Sequence, residues 1–221
     1  MVLDGVIVDI DGTLVLSNDA HAHSWVEAFA SQGYEVAFDQ VRSLMGMGGD
    51  QLIPKLFPEL DKETDPGKAI SSYRKELVMR DYVPHIQPAN GARSLVQKMR
   101  EAGLHLVIAT SASPEELEAM LKIADVEGLL PEATTSSDAE NSKPAPDIVE
   151  AALQTAQLDP DRVVMLADTP YDIEAAGKAG VGVIAVRCGG FSDQDLARAI
   201  AIYDDPADLL RHFGQSPLGQ P

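Results

Sequence analysis

Residues 6–14 read VIVDIDGTL, and this short stretch decides the fold that the 221-residue chain is expected to adopt. Three apolar residues run directly into Asp9 and Asp11, which are followed by Gly12 and Thr13. A continuous apolar run without alternation is typical of a strand that is buried on both faces of a parallel sheet. Two carboxylates placed close together at the end of such a run repel each other unless a positive group joins them. The rest of the sequence should therefore supply that positive group.

Further apolar runs alternate with helical patterns along the chain. Because strands that alternate with helices of about 10 to 15 residues indicate βαβ units, the pattern predicts an α/β fold with a doubly wound, Rossmann-like parallel sheet. Strands are predicted at 5–10, 104–110, 163–167 and 181–186, with a further candidate at 199–203. Helices are predicted at 90–102, 114–123, 146–157 and 172–179.

Residues 17–86 interrupt this alternation. They contain several stretches with helical periodicity and no strand-like run, so the simplest organisation is an all-helical cap inserted after the first strand. The predicted domains are an α/β core formed by 1–16 and 87–221, and a helical cap formed by 17–86. Pro84 and Pro88 mark the second of the two linkers, because proline does not continue a helix.

Composition and charge exclude several classes of partner. A formal net charge of −18 argues against nucleic acid and against anionic membranes, although a local cation still permits a small anionic substrate. No apolar run approaches the roughly 18 residues of a membrane span. The single cysteine, Cys188, and a start without a basic leader favour the cytoplasm. A monomer and a homodimer both remain open, and the segment after His212, FGQSPLGQP, is expected to be frayed.

Acidic and hydroxyl side chains follow several predicted strands, and one lysine precedes a helix. They are Asp9 and Asp11 after the first strand, Thr110 and Ser111 after the second, Lys143 ahead of the helix at 146–157, and Asp168 and Asp172 after the strand at 163–167. Ligands of open parallel sheets bind beyond the carboxyl ends of the strands, so these groups should meet at one edge. Carboxylates and a backbone carbonyl at residue 11 suit Mg²⁺, while Lys143 and Thr110 suit a phosphoryl group. Any one of these aspartates, taken alone, is also a common helix cap or turn former.

The order of these motifs resembles the haloacid dehalogenase superfamily, in its phosphatase and β-phosphoglucomutase-like branch with a helical cap. The matching positions are Asp9-Ile10-Asp11-Gly12-Thr13, then Thr110, then Lys143, and finally Asp168 with Asp172. The match extends from residue 4 to about residue 190. Thr110 and Ser111 would exchange roles if the second strand were one residue longer, so both hydroxyls stay candidates.

The resemblance implies a two-step reaction with Mg²⁺ as cofactor. Asp9 would attack phosphorus and form an aspartyl-phosphate, and Asp11 would act as general acid and then as general base. The implied metal-binding residues are Asp9, Asp11, Asp168 and Asp172. The implied contacts of the phosphoryl group are Gly12, Thr13, Thr110, Ser111 and Lys143. Dehalogenases resemble this pattern but lack the second aspartate, so Asp11 argues against dehalogenation.

Substrate specificity is expected in the cap, because the core motifs handle only the phosphoryl group. The stretch LMGMGGDQL at 44–52 carries Gly46, Gly48 and Gly49, which would let the backbone approach a bound substrate. The alternative interpretation is a turn between helices, with Met45 and Met47 packed inside the cap. Both interpretations can hold together.

The expected function is a Mg²⁺-dependent phosphatase that acts on a small phosphorylated metabolite of the sugar phosphate or phosphoglycolate type. The main alternative is a mutase similar to β-phosphoglucomutase, but such mutases carry an arginine in the cap loop where this chain has Gly49. A phosphonate hydrolase would need a cap lysine such as Lys55, and a non-catalytic phosphate-binding module is a further alternative. His21 matches a histidine of β-phosphoglucomutases that lies near the acid/base aspartate, or it is an ordinary polar helix residue.

Overall fold

The protein is an α/β structure with a helical insertion near its N-terminus. A computed structural model describes residues 3–61 and 63–219. Its six strands form one parallel sheet in the order β3-β2-β1-β4-β5-β6. The strands are β1 Gly5–Val8, β2 His105–Ala109, β3 Glu132–Thr134, β4 Val163–Ala167, β5 Gly182–Val186 and β6 Ala201–Tyr203.

Helices cover the sheet and fill the insertion. The α-helices are α1 Asn18–Ser31, α2 Phe38–Arg42, α3 Gly49–Leu56, α4 Asp65–Leu77, α5 Ala92–Glu101, α6 Pro114–Ile123, α7 Asp147–Ala156, α8 Pro170–Lys178 and α9 Pro206–Arg211. A π-helical turn, Val78–Tyr82, and a 3₁₀ turn, Val83–His85, lead out of α4. Further 3₁₀ turns lie at Pro160–Arg162, Arg187–Gly189 and Phe213–Gln215. Within the described ranges, no helix is both long and apolar enough to span a bilayer.

The predicted α/β class and parallel sheet are confirmed, with small differences at the ends of elements. The helix at 114–123 and the strand at 163–167 have the predicted bounds. The other predicted strands run one or two residues too far at one or both ends. Helix α8 begins at Pro170 rather than at residue 172, because the Thr169 hydroxyl accepts a hydrogen bond from the Asp172 amide at 3.1 Å and caps the helix there.

The sequence prediction omitted strand β3. Its three residues, Glu-Ala-Thr, include neither an apolar run nor an alternating pattern, and only Thr134 is buried. The strand exists because it pairs with β2 along one side at the edge of the sheet. Tertiary context, rather than local preference, therefore places it.

Both faces of the sheet are buried, as the continuous apolar runs predict. Side chains alternate along each strand, so Val6, Val8 and Leu166 belong to the apolar cluster on one face. Ile7 and Met165 belong to the cluster on the other face. This two-sided burial fixes the strand register and therefore fixes where each strand ends.

The helical insertion has an apolar cluster of its own. Phe29, Ile53 and Ile70 lie at its centre and are fully buried. The chain enters and leaves the insertion through adjacent segments, since Val15 forms an antiparallel bridge with Pro88. No strand lies between β1 and β2 in the part of the chain that the structure describes. The division of the chain at 17 and 86 stays a prediction.

The C-terminal segment corrects an expectation. Residues 213–219 are not frayed, because Phe213 and Leu218 are buried in the apolar cluster beneath the sheet. Ser216 is also buried, and its hydroxyl donates to the carbonyl of Phe213 at 2.7 Å. The sparse apolar residues of FGQSPLG therefore suffice to pack this segment, whereas residues 220 and 221 lie outside the described residues.

Replacing Phe213 with alanine should lower the free energy of unfolding by about 3 kcal/mol, because the change removes a buried aromatic side chain. Urea unfolding followed by circular dichroism measures this loss. The control is Ile200→Ala, whose side chain is 55% exposed, with an expected loss of about 1 kcal/mol or less. Equal losses in the two variants would contradict the packed position of the C-terminal segment.

Candidate active site

The predicted site residues meet at the carboxyl edge of the sheet. Strand β1 lies between β2 and β4, so the direction in which the chain winds reverses at β1. Ligands of open α/β sheets bind at such a switch point. Asp9 directly follows β1, and Asp168 directly follows β4. The fold therefore brings together two carboxylates that lie far apart in the sequence.

Lys143 joins the first aspartate to the last. Its Nζ donates to Asp9 Oδ1 at 2.6 Å and lies 2.6 Å from Asp172 Oδ1. It also donates to the carbonyl of Ala109, the last residue of β2, at 3.1 Å. The lysine side chain is only 2% exposed, so its charge acts in a low-dielectric environment where it is strongly felt. This ammonium is the positive group that the opening sequence motif requires.

Asp168 completes the acidic group from the other side. The Thr13 hydroxyl lies 3.2 Å from Asp168 Oδ1 and 3.3 Å from Asp9 Oδ2, so it bridges the two carboxylates. The Asn18 amide donates to Asp168 Oδ2 at 2.7 Å and to the carbonyl of Gly189 at 2.9 Å. The Asn18 bond orients the Asp168 carboxylate from α1, and the Thr13 contact orients it from the loop after β1.

Two glycines allow this carboxylate to approach the backbone. Gly12 has a φ of +76°, and a Cβ there would lie 2.1 Å from Asp168 Oδ2. A Cβ on Gly189 would lie 1.8 Å from the same oxygen. Any side chain at either position would displace Asp168, which gives Gly12 a positioning role in addition to the predicted phosphate contact.

The buried carboxylates have strongly shifted pKa values. Burial raises the pKa of Asp9 most, and the charge of Asp172 raises it further. Lys143 lowers this pKa, but burial outweighs the lysine and the pKa of Asp9 is about 7. Burial and the charges of Asp9 and Asp172 raise the pKa of Asp168 well above its usual value. Burial lowers the pKa of Lys143, but the charges of Asp172 and Asp9 outweigh burial and raise it. One lysine therefore does not balance three buried acids.

The three carboxylates fit a divalent cation. One oxygen from each of Asp9, Asp168 and Asp172 lies within 4.8 Å of the other two, and all three residues are buried. The Lys143 ammonium lies 2.6 Å from Asp172 Oδ1, and no other described residue donates a hydrogen bond to this oxygen. Asp172 Oδ2 is already occupied by the Thr169 hydroxyl at 2.5 Å. Clustered carboxylate oxygens with unused lone pairs are the ligands that Mg²⁺ prefers.

Asp11 lies apart from this acidic group. Its Oδ1 accepts hydrogen bonds from the Ser17 hydroxyl at 2.6 Å and from His21 Nε2 at 2.8 Å. Burial raises the pKa of Asp11, but His21, the Ser17 hydroxyl and Arg74 outweigh burial and lower it to about 2. The side chain of Asp11 is not one of the three clustered carboxylates, and a metal contact through its backbone carbonyl stays a prediction.

Arg74 determines which ring nitrogen of His21 accepts a hydrogen bond. One guanidinium nitrogen of Arg74 lies 2.6 Å from His21 Nδ1, and a guanidinium can only donate. His21 Nδ1 must therefore accept, which leaves the ring proton on Nε2, where it is donated to Asp11. Another nitrogen of Arg74 forms a short ion pair with Glu116, which is buried at the start of α6.

The hydroxyls after β2 have different surroundings. The strand ends at Ala109, so Thr110 is the first residue beyond it; Thr110 Oγ1 accepts from the Ala112 amide at 3.1 Å. Ser111 Oγ is buried and has no hydrogen-bond partner among the described residues. Both residues line the cavity of the site, and the exchange of their roles stays open.

Residues 44–52 form a loop that runs into the first turn of α3, and its glycines close the site from the insertion side. A Cβ on Gly48 would lie 2.2 Å from Ser142 Oγ, and one on Gly49 would lie 2.9 Å from the Trp25 ring. Gly46 has a φ of +103° and abuts Thr169. Met45 and Met47 are buried in the insertion's apolar cluster, so this loop both packs the helices and approaches the core.

An inner cavity of about 80 Å³ lies between the loop and the sheet edge. Eight of the site residues that the sequence predicts line this cavity: Asp9, Asp11, Thr110, Ser111, Lys143, Gly46, Gly48 and Gly49. The metal-site candidates Asp168 and Asp172, and likewise Gly12 and Thr13, do not line it. Lys55, the lysine considered for phosphonate chemistry, is exposed on α3 and is not part of this lining.

Sequence reasoning missed four residues that support the site. They are Ser17 and Asn18 at the start of the insertion, Arg74 on α4 and Glu116 on α6. Ser113-Pro114-Glu115-Glu116 does carry a capping-box signal: Ser113 caps α6, and Glu116 completes the box by accepting a hydrogen bond from the Ser113 amide. Its ion pair with Arg74 joins residues 42 apart and leaves no local sequence pattern.

The structure combines an open parallel α/β sheet with an acidic site at its carboxyl edge, and comparison with known proteins gives the family. A family model described as haloacid dehalogenase-like hydrolase matches residues 6–186, and the chain belongs to this family. SUPPRESSOR OF QUENCHING 1, a chloroplastic protein of Arabidopsis thaliana, is 31% identical over 193 residues. That match covers 84% of this chain but 18% of the plant protein, so the chain spans less than a fifth of that relative.

Two bacterial proteins match over nearly their full length. The N-acetylmuramic acid 6-phosphate phosphatase of Pseudomonas putida is 26% identical, and the match covers 99% of this chain and 100% of that protein. The crystal structure of a hydrolase from Pseudomonas syringae superposes with a TM-score of 0.89 at 26% identity, covering 96% of this chain and 98% of the other. The fold is therefore shared with the solved structure over 96% of this chain.

Mg²⁺ should raise the melting temperature more at pH 8 than at pH 5.5. The pKa of Asp9 is raised to about 7, so below that pH a proton occupies the carboxylate and competes with the cation. At 100 times its dissociation constant, a ligand adds about 2.7 kcal/mol of stability, or about 5–10 °C for a chain of this size. Thermal unfolding with and without MgCl₂ at the two pH values measures the difference.

The matched variants are Asp168→Asn, which should lose most of the Mg²⁺-dependent increase, and Asp161→Asn, which alters an exposed acid and should retain it. An increase of the same size at both pH values, or one that persists in Asp168→Asn, would contradict the assignment of the cation to these carboxylates.

Proposed function

We propose that this protein is a Mg²⁺-dependent phosphatase that hydrolyses a small phosphorylated metabolite, of the sugar phosphate or phosphoglycolate type, through an aspartyl-phosphate on Asp9. The observation that carries the proposal is the position of Lys143, which lies 2.6 Å from both Asp9 and Asp172. The phosphatase activity named for the Pseudomonas putida relative supports it. A cytoplasmic location remains our prediction from the single cysteine.

Asp9 is the group best placed to attack phosphorus. It lines the cavity, and Lys143 holds its Oδ1 while the Thr13 hydroxyl lies beside its Oδ2. A buried, oriented carboxylate loses little freedom when it reacts, which favours in-line attack. Lys143 also offsets the charge that a phosphoryl dianion would bring into the acidic pocket, as a preorganised cation does.

Asp9, Asp168 and Asp172 would hold the cation. When bound, Mg²⁺ would supply positive charge that stabilises the phosphoryl oxygens and lowers the pKa of Asp9. Thr13 and Asn18 keep Asp168 in its orientation. These contacts belong to the protein alone and would hold the pocket ready before the substrate arrives.

Asp11 is suited to move the proton. Ser17 and His21 both bind its Oδ1, and no described residue donates a hydrogen bond to Oδ2, which would leave that oxygen for the leaving group. The pKa of Asp11 stands at about 2 without substrate. A phosphoryl dianion nearby would raise this pKa, because like charges favour the protonated form. Asp11 would then donate a proton to the departing oxygen and later accept one from water.

Hydrolysis is favoured over transfer within the substrate by the loop at Gly49. A mutase needs a cation in this loop to hold a second phosphate. Any side chain at residue 49 would begin 2.9 Å from the Trp25 ring, which is tighter than an ordinary contact. Glycine therefore belongs to this loop geometry, and a larger residue would require Trp25 to move.

Asp9→Asn and Asp11→Asn should fail in different ways. Asp9→Asn should lose phosphate release from every substrate by at least about a thousandfold, because the nucleophile is gone. Asp11→Asn should lose about a hundredfold or more with alkyl phosphates but much less with p-nitrophenyl phosphate, whose leaving group needs no proton. Phosphate release in MgCl₂ across phosphorylated metabolites measures both.

Ordinary activity in Asp9→Asn, free of wild-type protein, would contradict the nucleophile assignment. Equal losses on alkyl and aryl phosphates in Asp11→Asn would contradict its role as acid. Exchange of β-glucose 1-phosphate with glucose 6-phosphate, faster than release of phosphate, would identify a mutase instead.

A further inference from the structure

An outer cavity of about 330 Å³ adjoins the inner cavity, and the leaving group of a substrate would lie there. The two cavities share Trp25, Gly49, Arg74 and Ser111 in their linings. Serine hydroxyls are frequent in the outer lining, where Ser71, Ser113, Ser136 and Ser142 join Ser111. Hydroxyls of this kind donate and accept equally well, which suits a leaving group that itself carries hydroxyls.

Carboxylates accompany these serines. Asp50, Glu116 and Glu140 line the outer cavity, and Asp50 also accepts a hydrogen bond from the Ser142 amide at 3.0 Å. The cations of this lining are Arg74 and Lys75, and each already has a carboxylate partner, Glu116 and Glu115 respectively. A leaving group with negative charge would therefore face carboxylates beside cations that are already paired.

The partner of Arg74 decides how much positive charge the outer cavity offers to a leaving group. The side chain of Arg74 is 16% exposed and that of Glu116 is 5% exposed, so the pair is largely shielded from water and salt. The guanidinium also donates to His21 and lies 5.3 Å above the Trp25 ring. Burial raises the pKa of Glu116, but Arg74 and the hydrogen bonds from Ser113 lower it, which keeps the carboxylate charged.

We propose that Glu116 is a specificity-determining residue, which acts by pairing with Arg74. The pair directs the site toward monophosphates whose leaving group is an uncharged, hydroxyl-bearing alcohol. It directs the site away from leaving groups that carry a carboxylate or a second phosphate. The proposal rests on the proposed phosphatase function and narrows its two substrate types to the sugar phosphate type, because the leaving group of phosphoglycolate carries a carboxylate. Without Glu116, the positive charge of Arg74 would attract an anionic leaving group into the same space.

Matched substrate pairs test the preference without any substitution. 2-Hydroxyethyl phosphate and 2-phosphoglycolate share a two-carbon frame, and N-acetylglucosamine 6-phosphate and N-acetylmuramic acid 6-phosphate differ by a carboxylate-bearing ether. In each pair that is hydrolysed, the wild-type protein should show a kcat/KM at least about tenfold higher for the uncharged leaving group. p-Nitrophenyl phosphate serves as the general measure of phosphatase activity.

Glu116→Gln should reduce this ratio by about tenfold or more, because it frees the charge of Arg74 while glutamine still completes the capping box of α6. The matched control is Glu115→Gln, which removes the neighbouring pair with Lys75; those side chains are 63% and 41% exposed, so the ratio should not change. Adding Arg74→Gln to Glu116→Gln should restore the preference for the uncharged leaving group, whatever the loss in overall rate.

A wild-type preference for the carboxylate-bearing member of either pair would overturn the proposal. So would a Glu116→Gln variant that hydrolyses both members more slowly by the same factor, which is what a purely structural role of Glu116 would produce. The wild-type protein in MgCl₂ could hydrolyse p-nitrophenyl phosphate and yet hydrolyse the uncharged member of each pair no faster than the anionic member. In that case the proposed substrate class is wrong and the phosphatase function stands. Absence of phosphate release from every compound would instead overturn the proposed function and this proposal with it.

Discussion

The ammonium of Lys143 lies 2.6 Å from each of two buried carboxylates, those of Asp9 and Asp172. Such a cluster is costly, because each buried ion loses its hydration and one cation cannot satisfy three acids. The raised pKa values of Asp9 and Asp168 express that cost. Additional positive charge, such as that of the proposed divalent cation, would lower this cost, and the rest of the structure keeps the cluster in place.

The two acids of the opening motif are held by different parts of the protein. Asp9 is fixed by the core through Lys143 and Thr13, whereas Asp11 is fixed by Ser17 and His21 at the start of the insertion. Arg74 then connects the insertion to Glu116 on the core helix α6. The acid that would move protons therefore takes its orientation from residues at the start of the insertion, whereas the proposed nucleophile takes its orientation from the core.

The sequence predicts the sheet and the acidic cluster well because both depend on local patterns. Buried strands have continuous apolar runs, and parallel topology sends their ends to one edge, so Asp9, Asp168 and Lys143 could be expected to meet. Strand β3 could not be predicted, because Glu-Ala-Thr has no strand preference and forms only by pairing with β2. The ordered segment around Phe213 and Leu218 was wrongly expected to fray, since its burial depends on the fold above it.

The residues that support the site also could not be predicted from the sequence. Asn18 bonds Asp168 across 150 positions of sequence, and Arg74 reaches Glu116 across 42. Neither contact produces a spacing that a sequence pattern can reveal, and the capping box of α6 explains Glu116 without any reference to the site. Long-range polar contacts of this kind become visible only when the chain is folded.

A crystal structure with MgCl₂ and beryllium fluoride would test the central claim most directly, because beryllium fluoride mimics a phosphoryl group on a carboxylate. We expect beryllium bonded to a carboxylate oxygen of Asp9, with Mg²⁺ contacted by Asp9 and Asp168 and with Lys143 beside the fluorides. Beryllium fluoride away from Asp9, or Mg²⁺ bound outside the Asp9, Asp168 and Asp172 cluster, would contradict that claim.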